Sequence, residues 1–464
     1  METTVKIKSS FFTRDKEFYK KLFHLLIVVA LQNLVAYSVN MADNIMLGNY
    51  SQTALSGAAT VNQVFFMVQQ FALAFGDGLI ILGSQYWGQK RRDPVRTITG
   101  IALKGGAISG AVIVLVCAIL PTQILEIFTK DPGIISEGVV YLGIIKWTFF
   151  LFIITQVMMA ALRCVGTVNI SFGISVVSLI VNVGINYCLI YGRFGLPEMG
   201  IRGAAIGTLV ARIIELGIVI VYAIWKDKKL ELFKYNFLKS DKVLRHDYIK
   251  VFMPVALSQI LWSISVPMQT AILGHLSADA IAANSVATTF YQYLKVVVIA
   301  MSSASSVMIG MSIGKGDMNR VKSDARTLEV IDLAIGIVLA IALFLLRQPL
   351  LSMYNLSEGA TSLALNLIGV MSIVMVGMSY QMPASFGIIR GGGDAKFTMY
   401  MNIISTWVIV MPLSFMSAFW WKWPVEWVVV MIQSDQIFKG IPTFIRMRGY
   451  KWVKKLTRPA EETE

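Results

Sequence analysis

Residues 46–51 read Met-Leu-Gly-Asn-Tyr-Ser and residues 272–277 read Ile-Leu-Gly-His-Leu-Ser, so one short motif occurs twice at an offset of 226 residues. At an offset of 227, Leu-Arg-Cys-Val-Gly at 162–166 aligns with Ile-Arg-Gly-Gly-Gly at 389–393. Landmarks that recur in the same order at nearly the same offset indicate an internal repeat. The chain is therefore interpreted as two copies of one unit.

The sequence around these motifs is strongly apolar. Of its 464 residues 56% are hydrophobic and 15% are charged, whereas a soluble domain has about 45–50% apolar and about 25% charged residues. The charges cluster between long apolar runs, which is typical of polytopic helical membrane proteins. The net charge of +14 does not indicate nucleic-acid binding, because the positive-inside rule places basic residues in such loops.

Twelve apolar segments are long enough to cross a hydrocarbon core of about 30 Å as helices. Their predicted limits are 22–47, 54–83, 97–121, 138–162, 169–192, 203–225, 250–274, 280–310, 327–348, 360–389, 397–420 and 425–445. With the N-terminus inside, 31 of the 41 Lys and Arg residues lie on the inner side and five on the outer side. This asymmetry predicts a multi-pass protein of the plasma (inner) membrane with both termini cytoplasmic.

The repeat and the spans together predict the fold. It is an all-α polytopic membrane protein with twelve transmembrane helices in two six-helix lobes. Because each half has an even number of spans, the pseudo-two-fold axis should run along the membrane normal, with a cavity between the halves. The predicted parts are an N-terminal segment, the N-terminal lobe, a cytoplasmic linker, the C-terminal lobe and a tail, at 1–21, 22–225, 226–249, 250–445 and 446–464.

Aligned glycines mark equivalent points of the two halves. Gly48 and Gly274 end spans one and seven, and Gly88 and Gly314 end spans two and eight. A glycine at the C-terminal end of a helix can adopt a positive φ. We expect these glycines to terminate helices and to carry no transport chemistry.

The ordered set of motifs resembles the multidrug and toxic compound extrusion (MATE) family over roughly residues 20–445. The resemblance is carried by Asp43–Gly48, Gln85–Gly88, Asn182, Asn186, Gly203–Thr208 and the aligned segments Leu162–Gly166 and Ile389–Asp394. It implies a V-shaped pair of six-helix lobes. It also implies export of amphipathic, often cationic organic molecules driven by inward flow of H⁺ or Na⁺, and a cation site in the N-terminal lobe.

Asp43 is the candidate carrier of the coupling ion. A charged side chain within a span costs about 2.5–3.5 kcal/mol on insertion scales, so an acid there is a functional hypothesis by default. It borders a polar stripe of span one formed by Asn33, Tyr37, Asn40 and Asn44. The resemblance makes Asp43 a proton- or Na⁺-binding carboxylate; the alternative is a polar seam that only packs helices.

Three further residues are predicted to complete the cation-coupling site. Asn182 and Asn186 lie one turn apart in span five and share a face, and the resemblance adds Thr208 of span six. Their oxygens suit a hard cation, so the expectation is either Na⁺ at Asp43, Asn182 and Asn186 or a proton on Asp43. Asn186 stands where some family members have an aspartate, which removes one negative charge. The alternative for the asparagines is interhelical hydrogen bonding.

A second set of polar residues is predicted to line the substrate cleft. Gln63, Gln70 and Asp77 are spaced by seven and share a face of span two, while Lys295 lies within span eight. Asp77 is expected to attract cationic substrates or to pair with a base, for which Lys295 is one hypothesis. The predicted set is Tyr37, Asn40, Gln63, Gln70, Asp77, Gln259, Tyr291 and Lys295.

The remaining charges suggest that the two halves differ in chemistry. Arg212 and Glu215, three residues apart in span six, are expected to form an intrahelical pair. Spans seven and ten lack the acids that some family members place there, and Gln269 aligns with Asp43. Coupling is therefore expected in the N-terminal lobe. No cation site built on carboxylates is expected in the C-terminal lobe.

The predicted function is secondary active efflux, in which H⁺ or Na⁺ is exchanged for organic molecules by alternating access. The alternative is a flippase for a lipid-linked or cell-wall precursor, which would favour a more basic cleft. An enzyme is not expected, because no paired catalytic His/Asp set or metal motif is found, and neither is an ATP-driven pump, because no Walker A signature is present. We expect a monomer among membrane lipids, with no cofactor beyond the coupling ion and no nucleic-acid partner.

Overall fold

The chain folds almost entirely into helices, as the hydropathy pattern predicts. The structure, a computed structural model, describes residues 11–235, 241–276, 278–352, 354 and 357–459, and these ranges contain no β-strand. The all-α prediction is confirmed. Parts of the predicted N-terminal segment, linker and tail, together with Ser277 of the repeat, lie outside the described residues.

Eleven segments of the described chain are long and apolar enough to cross a membrane. The first half contains α1 (Lys16–Tyr50), α2 (Gln52–Gly88), α3 (Arg92–Ile119), the short α4 (Pro121–Glu126), α5 (Pro132–Cys164), α6 (Asn169–Ile190) and α7 (Ile201–Trp225). The second half contains α8 (Lys242–Gly274), α9 (Ala278–Gly314), α10 (Met318–Leu351), α11 (Glu358–Met382), α12 (Ala395–Ile403) and α13 (Met411–Phe415). π-Helical turns extend α11 through Pro383–Ile389 and join α12 and α13 into one long segment that ends at Trp420.

Two helices begin well before their predicted spans, because an aspartate caps each of them. The Asp241 carboxylate accepts hydrogen bonds from the backbone amides of Val243 and Leu244 at 2.7 and 3.1 Å. Helix α8 therefore begins at Lys242 instead of 250. The Asp317 carboxylate accepts bonds from the amides of Asn319 and Arg320 at 3.0 and 3.1 Å. Helix α10 therefore begins at Met318 instead of the predicted 327. Such caps satisfy the amides that open a helix.

The twelfth predicted span, 425–445, is less regular than the others. It consists of α14 (Val425–Gln433), α15 (Asp435–Phe438) and α16 (Gly440–Arg448). The backbone at the two junctions, Ser434 and Lys439, stays in the right-handed helical region. The segment therefore follows one helical course with two local interruptions.

The chain divides into two compact units, which are described separately. The N-terminal unit comprises Val28–Gly83, Arg91–Ile264 and the chain from Arg458. The C-terminal unit comprises the chain up to Ile27, Ser84–Lys90 and Ser265–Thr457. These limits differ from the predicted lobe limits of 22–225 and 250–445.

Residues 84–90 belong to the C-terminal unit because the end of α2 is bonded within it. The Gln85 side-chain amide donates to the carbonyl of Lys454 at 3.1 Å, and its oxygen accepts from the amide of Leu456 at 2.9 Å. The Gln89 side chain donates to the Thr457 hydroxyl at 2.6 Å. These bonds join the end of α2 to the segment that follows α16.

The landmark glycines Gly88 and Gly314 have a different role from the one predicted. Neither has a positive φ; the left-handed residues near them are Lys90 (φ 61°) and Gly316 (φ 82°). A Cβ on Gly88 would lie 2.4 Å from the carbonyl oxygen of Met311. The expectation that these glycines supply a positive φ is wrong, because they instead let the backbones of α2 and α9 come into direct contact.

Replacing Gly314 by alanine should destabilise the protein. The new methyl group would lie 2.1 Å from the carbonyl oxygen of Gln85, and forcing extra volume into a packed contact typically costs about 1–3 kcal/mol. The expected result is a lower Tm for the purified full chain in detergent. Gly173→Ala in α6 is the control, since its Cβ would meet nothing within 4 Å. An unchanged Tm for Gly314→Ala would contradict the close contact.

Candidate cation-coupling site

Asp43 lies on α1, seven residues before the helix ends, and its side chain is buried in the N-terminal unit. The Asn186 side-chain Nδ2 of α6 donates a hydrogen bond to Asp43 Oδ1 at 2.6 Å. A bond from an amide to a carboxylate is charge-assisted and correspondingly strong. It fixes the acid of α1 against α6.

The hydrogen bonds continue from Asp43 through both asparagines to α7. Asn186 Nδ2 also donates to Asn182 Oδ1 at 3.3 Å, and Asn182 Nδ2 donates to Thr208 Oγ1 at 3.1 Å. Both asparagines have no exposed surface. The structure therefore brings the four predicted cation-coupling residues into one network across three helices, while their role with a cation stays a prediction.

Gly207 makes room for this network. A Cβ at this position of α7 would lie only 1.9 Å from Asn186 Oδ1. The turn that ends in Thr208 can therefore approach α6 only with glycine at 207. The Gly203–Thr208 segment, which carried part of the family resemblance, thus has a structural reason beside the site.

One oxygen of the network accepts no hydrogen bond from the residues that the structure describes. Asn186 Oδ1 is buried and finds no partner in the part of the chain that the structure describes. Buried polar atoms are normally paired. An unpaired amide oxygen next to a carboxylate, a second amide and a hydroxyl is a donor set that suits a hard monovalent cation.

Two residues that the sequence did not assign to the site also act on it. The positive charge of Arg212 on α7 reaches Asp43, and the Tyr141 hydroxyl of α5 interacts with Thr208. Arg212 forms the predicted pair with Glu215, at 2.6 Å, and its guanidinium carbon lies 4.9 Å from the centre of the Phe152 ring. Tyr141 is buried within an apolar run, so no sequence pattern distinguishes it from packing residues.

The groups around Asp43 leave its negative charge incompletely compensated. The site holds one carboxylate, that of Asp43. Burial disfavours the ionised form of a carboxylate unless a counter-charge is close. The positive charge of Arg212 is shared with Glu215, which lies closer to it in sequence and at hydrogen-bonding distance. A proton or a Na⁺ ion at Asp43 would supply the remaining compensation.

The predicted cleft residues of the N-terminal unit form a second polar group. Gln259 Nε2 on α8 donates to Asp77 Oδ2 on α2 at 2.7 Å, and both residues are half-buried. Arg163 also interacts electrostatically with Asp77. Among the other predicted members of this unit, Tyr37 and Gln70 are half-buried, whereas Asn40 and Gln63 are exposed.

The other two predicted cleft residues, Tyr291 and Lys295, belong to the C-terminal unit. The Tyr291 hydroxyl donates to the Met378 sulfur at 2.8 Å. Both residues interact electrostatically with Asp435, which sequence reasoning had not singled out. The proposed pairing of Asp77 with Lys295 stays a prediction.

Asp435 is held by a buried ion pair. Lys439 Nζ, one turn further along the chain, lies 2.6 Å from Asp435 Oδ2 and also donates to Asn402 Oδ1 at 2.9 Å. Both charges are nearly inaccessible. Asp435 and Lys439 lie four residues apart inside the predicted span 425–445, but their burial and pairing depend on tertiary packing and were not predicted.

Comparison with known proteins identifies the family. The family model described as MatE matches residues 29–188 and 254–416, more than half of the chain. The chain is 25% identical to the "Probable multidrug resistance protein NorM" of Thermotoga maritima, with 95% of each chain covered. It is 21% identical to the "Uncharacterized transporter YisQ" of Bacillus subtilis, with 95% of this chain and 96% of that protein covered.

Solved structures share the fold. A MATE-family multidrug resistance transporter of the MOP superfamily, in an outward-facing conformation, superposes with a TM-score of 0.85 at 16% identity, covering 95% of this chain and 98% of that one. A MOP superfamily transporter from Pyrococcus furiosus gives a TM-score of 0.84 at 17% identity, covering 96% and 100%. The all-helical membrane fold is confirmed. The chain belongs to the MatE family and is a multi-pass membrane transporter.

Proposed function

We propose that this transporter exchanges H⁺ or Na⁺ for amphipathic, often cationic organic molecules by alternating access, and that Asp43 carries the coupling ion. The observation that supports this most is the buried hydrogen-bond network of Asp43, Asn186, Asn182 and Thr208. An ionisable residue inside a membrane helix is rare and usually functional. The name of the Thermotoga maritima relative, a probable multidrug resistance protein, supports the substrate class.

The network links ion binding to the contacts between helices. The bond between Asn186 and Asp43 is strongest when the carboxylate is charged; a proton removes that charge, and a Na⁺ ion compensates it. Binding of the ion therefore alters the attachment of α1 to α6 and favours one arrangement of the helices over another. A ligand shifts a conformational equilibrium only by such differential affinity.

Asp77 is proposed to select for cationic substrates. It is half-buried and hydrogen-bonded to Gln259, so it remains partly accessible. Aromatic rings lie on the same helices, with Phe66 and Trp262 5.7 Å apart between centroids. A negative charge and aromatic faces on the same two helices suit an organic cation. A flippase for phosphate-bearing precursors is the weaker candidate, because the acid Asp77 would repel a phosphate.

The membrane arrangement is part of the proposal. The excess of basic residues on one side supports cytoplasmic termini in a plasma (inner) membrane protein. We propose a monomer without catalytic activity, surrounded by membrane lipids. Its only cofactor would be the coupling ion, and its partners would be small organic molecules, with no nucleic acid among them.

Asp43→Asn should abolish coupled transport. The amide keeps the shape of the carboxylate but cannot exchange a proton and binds Na⁺ weakly, so gradient-driven dye efflux should fall at least tenfold. The measurement is dye efflux in vesicles with an imposed Na⁺ or H⁺ gradient, which also identifies the ion. Glu126→Gln, an exposed acid at the end of α4, is the control and should transport normally. Unchanged efflux in Asp43→Asn would rule out the assigned role.

Gly207→Ala should impair transport by displacing the Asn186 amide. Its new Cβ would lie 1.9 Å from Asn186 Oδ1, whereas a Cβ on Gly217, ten residues further along α7, would meet nothing within 4 Å. Gly217→Ala is thus a control on the same helix. Efflux per folded molecule should fall severalfold for Gly207→Ala and stay unchanged for the control. Equal efflux in the two variants would show that the amide position is unimportant.

Asn186→Asp should make the site hold its proton more tightly. The new carboxylate would lie within about 3 Å of Asp43, and two carboxylates at that distance cannot both ionise readily. The midpoint of efflux against pH at constant Na⁺ should therefore rise by about one unit or more. Asn49→Asp, at the exposed end of α1, is the control with the same added charge. An unshifted profile in Asn186→Asp would place the titrating group elsewhere.

A further inference from the structure

A buried acid of the C-terminal unit has no hydrogen-bond partner among the residues that the structure describes. Asp332 lies on α10 and is 1% exposed. Neither of its carboxylate oxygens has a hydrogen-bond partner in the described chain. This distinguishes it from Asp43, which accepts a bond from Asn186, and from Asp435, which is paired with Lys439.

Contacts on either side of Asp332 show that it faces α11. Glu329 and Gly336 lie about one turn before and after it, on the same face of α10. The Tyr380 hydroxyl of α11 donates to Glu329 Oε1 at 3.0 Å, and a Cβ on Gly336 would lie 2.4 Å from the Cβ of Ser379. Asp332 therefore lies between two points at which α10 and α11 touch.

The same interface contains another polar atom without a partner. Ser379 Oγ on α11 is buried and has no hydrogen bond within the described residues. Together with Asp332 it places three buried acceptor oxygens between two helices. Native interiors rarely leave such atoms unpaired, so the interface is built for a small ligand or for an uncharged acid.

No positive charge of the described chain acts on Asp332. Of the groups on the helices packed against α10, Glu329 of α10 itself and Tyr380 of α11 act on it electrostatically. In the described chain, α9 and Pro383–Ile389 place no charged group against it. Arg448 compensates Glu329 instead, with 3.7 Å between Nη2 and Oε2.

We propose that Asp332 is a second proton-binding residue, which is neutral in this arrangement and releases its proton when water enters between α10 and α11. An ionised carboxylate without donors or a counter-charge is very unfavourable in a buried site, whereas the neutral acid is tolerated. On release, the O–H bond of the acid breaks, the proton passes to water and the carboxylate remains. This deepens the proposed function, on which it rests, by giving the C-terminal unit its own proton.

Glu329 offers a route for that proton. It lies nearly one turn closer to the start of α10, and its partner Arg448 is 46% exposed in its side chain. The entering water can pass the proton from Asp332 to the Glu329 carboxylate, which is hydrogen-bonded by Tyr380, and from there to bulk water. Glu329 is therefore assigned as the exit of the site.

Infrared spectroscopy of the purified full chain tests the protonation directly. At pH 7 the spectrum should contain the C=O stretch of a protonated carboxylic acid that is lost in Asp332→Asn and persists in Glu358→Gln, an exposed acid at the start of α11. Raising the pH should remove the band as the acid ionises. If Asp332→Asn retains every protonated-acid band at pH 7, the proposal is overturned.

Competition with Na⁺ separates a proton site from a sodium site. Saturating Na⁺ at constant pH should leave the Asp332 band unchanged; its loss on Na⁺ addition would overturn proton binding in favour of a Na⁺ site. Thermal unfolding supplies a second readout. Asp332→Asn should leave the Tm at pH 7 close to that of the wild type, because one neutral group replaces another. A large rise in Tm would instead show that the native residue is charged.

Transport then connects the site to efflux. In vesicles with Asp43 intact, Asp332→Asn should lower severalfold the response of dye efflux to an imposed pH gradient, and Glu358→Gln should not. The infrared result does not depend on transport, so it stands even if Asp43→Asn leaves efflux unchanged and the proposed function fails. An Asp332 band together with a normal gradient response in Asp332→Asn would overturn the coupling role.

Discussion

The hydrogen bond from Asn186 to Asp43 is the interaction on which the arrangement of the N-terminal unit around the site depends. Hydrocarbon provides no partner for a polar group, so each polar side chain in these helices must find one within the protein. Asp43 finds it on α6 at 2.6 Å. Asn182 extends the network to Thr208 on α7. Gly207 lets α7 approach α6 closely, because it has no Cβ that would collide with Asn186. One buried carboxylate is thus part of a hydrogen-bond network that connects three helices.

Much of the fold follows from the sequence because the membrane restricts it. Long apolar runs must be helical, and the eleven long helices cover the first eleven predicted spans, although α8 and α10 begin well before theirs. What depends on distant partners could not be predicted. The aligned glycines were recognised, but their cause is the contact of α2 with α9 at Gly88 and Gly314, which no local pattern reveals. The interruptions of the last span fall beside the buried Asp435–Lys439 pair, whose environment is likewise set by tertiary packing.

The candidate site divides in the same way. Asn182 and Asn186 are four residues apart, so helical geometry alone predicts their shared face, and the family resemblance supplied Asp43 and Thr208. The bond between Asp77 and Gln259 spans 182 residues and could not be derived from spacing. Asp332 was overlooked because it lies only a few residues inside a span whose beginning is rich in charge. Its burial and its lack of partners are properties of the packed helices, not of the segment.

The two units therefore carry acids of opposite character. Asp43 is partnered, so a change in its charge alters a specific bond between helices, and the effect is directional. Asp332 has no hydrogen bond within the described part of the chain, so its charge state depends on whether water reaches it. Asp43 responds to the arrangement of the helices through a direct hydrogen bond. Asp332 responds to it through the access of water. A repeat that places Gln269 at the position of Asp43 has lost the first kind in its second half. An acid on α10 restores sensitivity to the conformational state there by a different physical route.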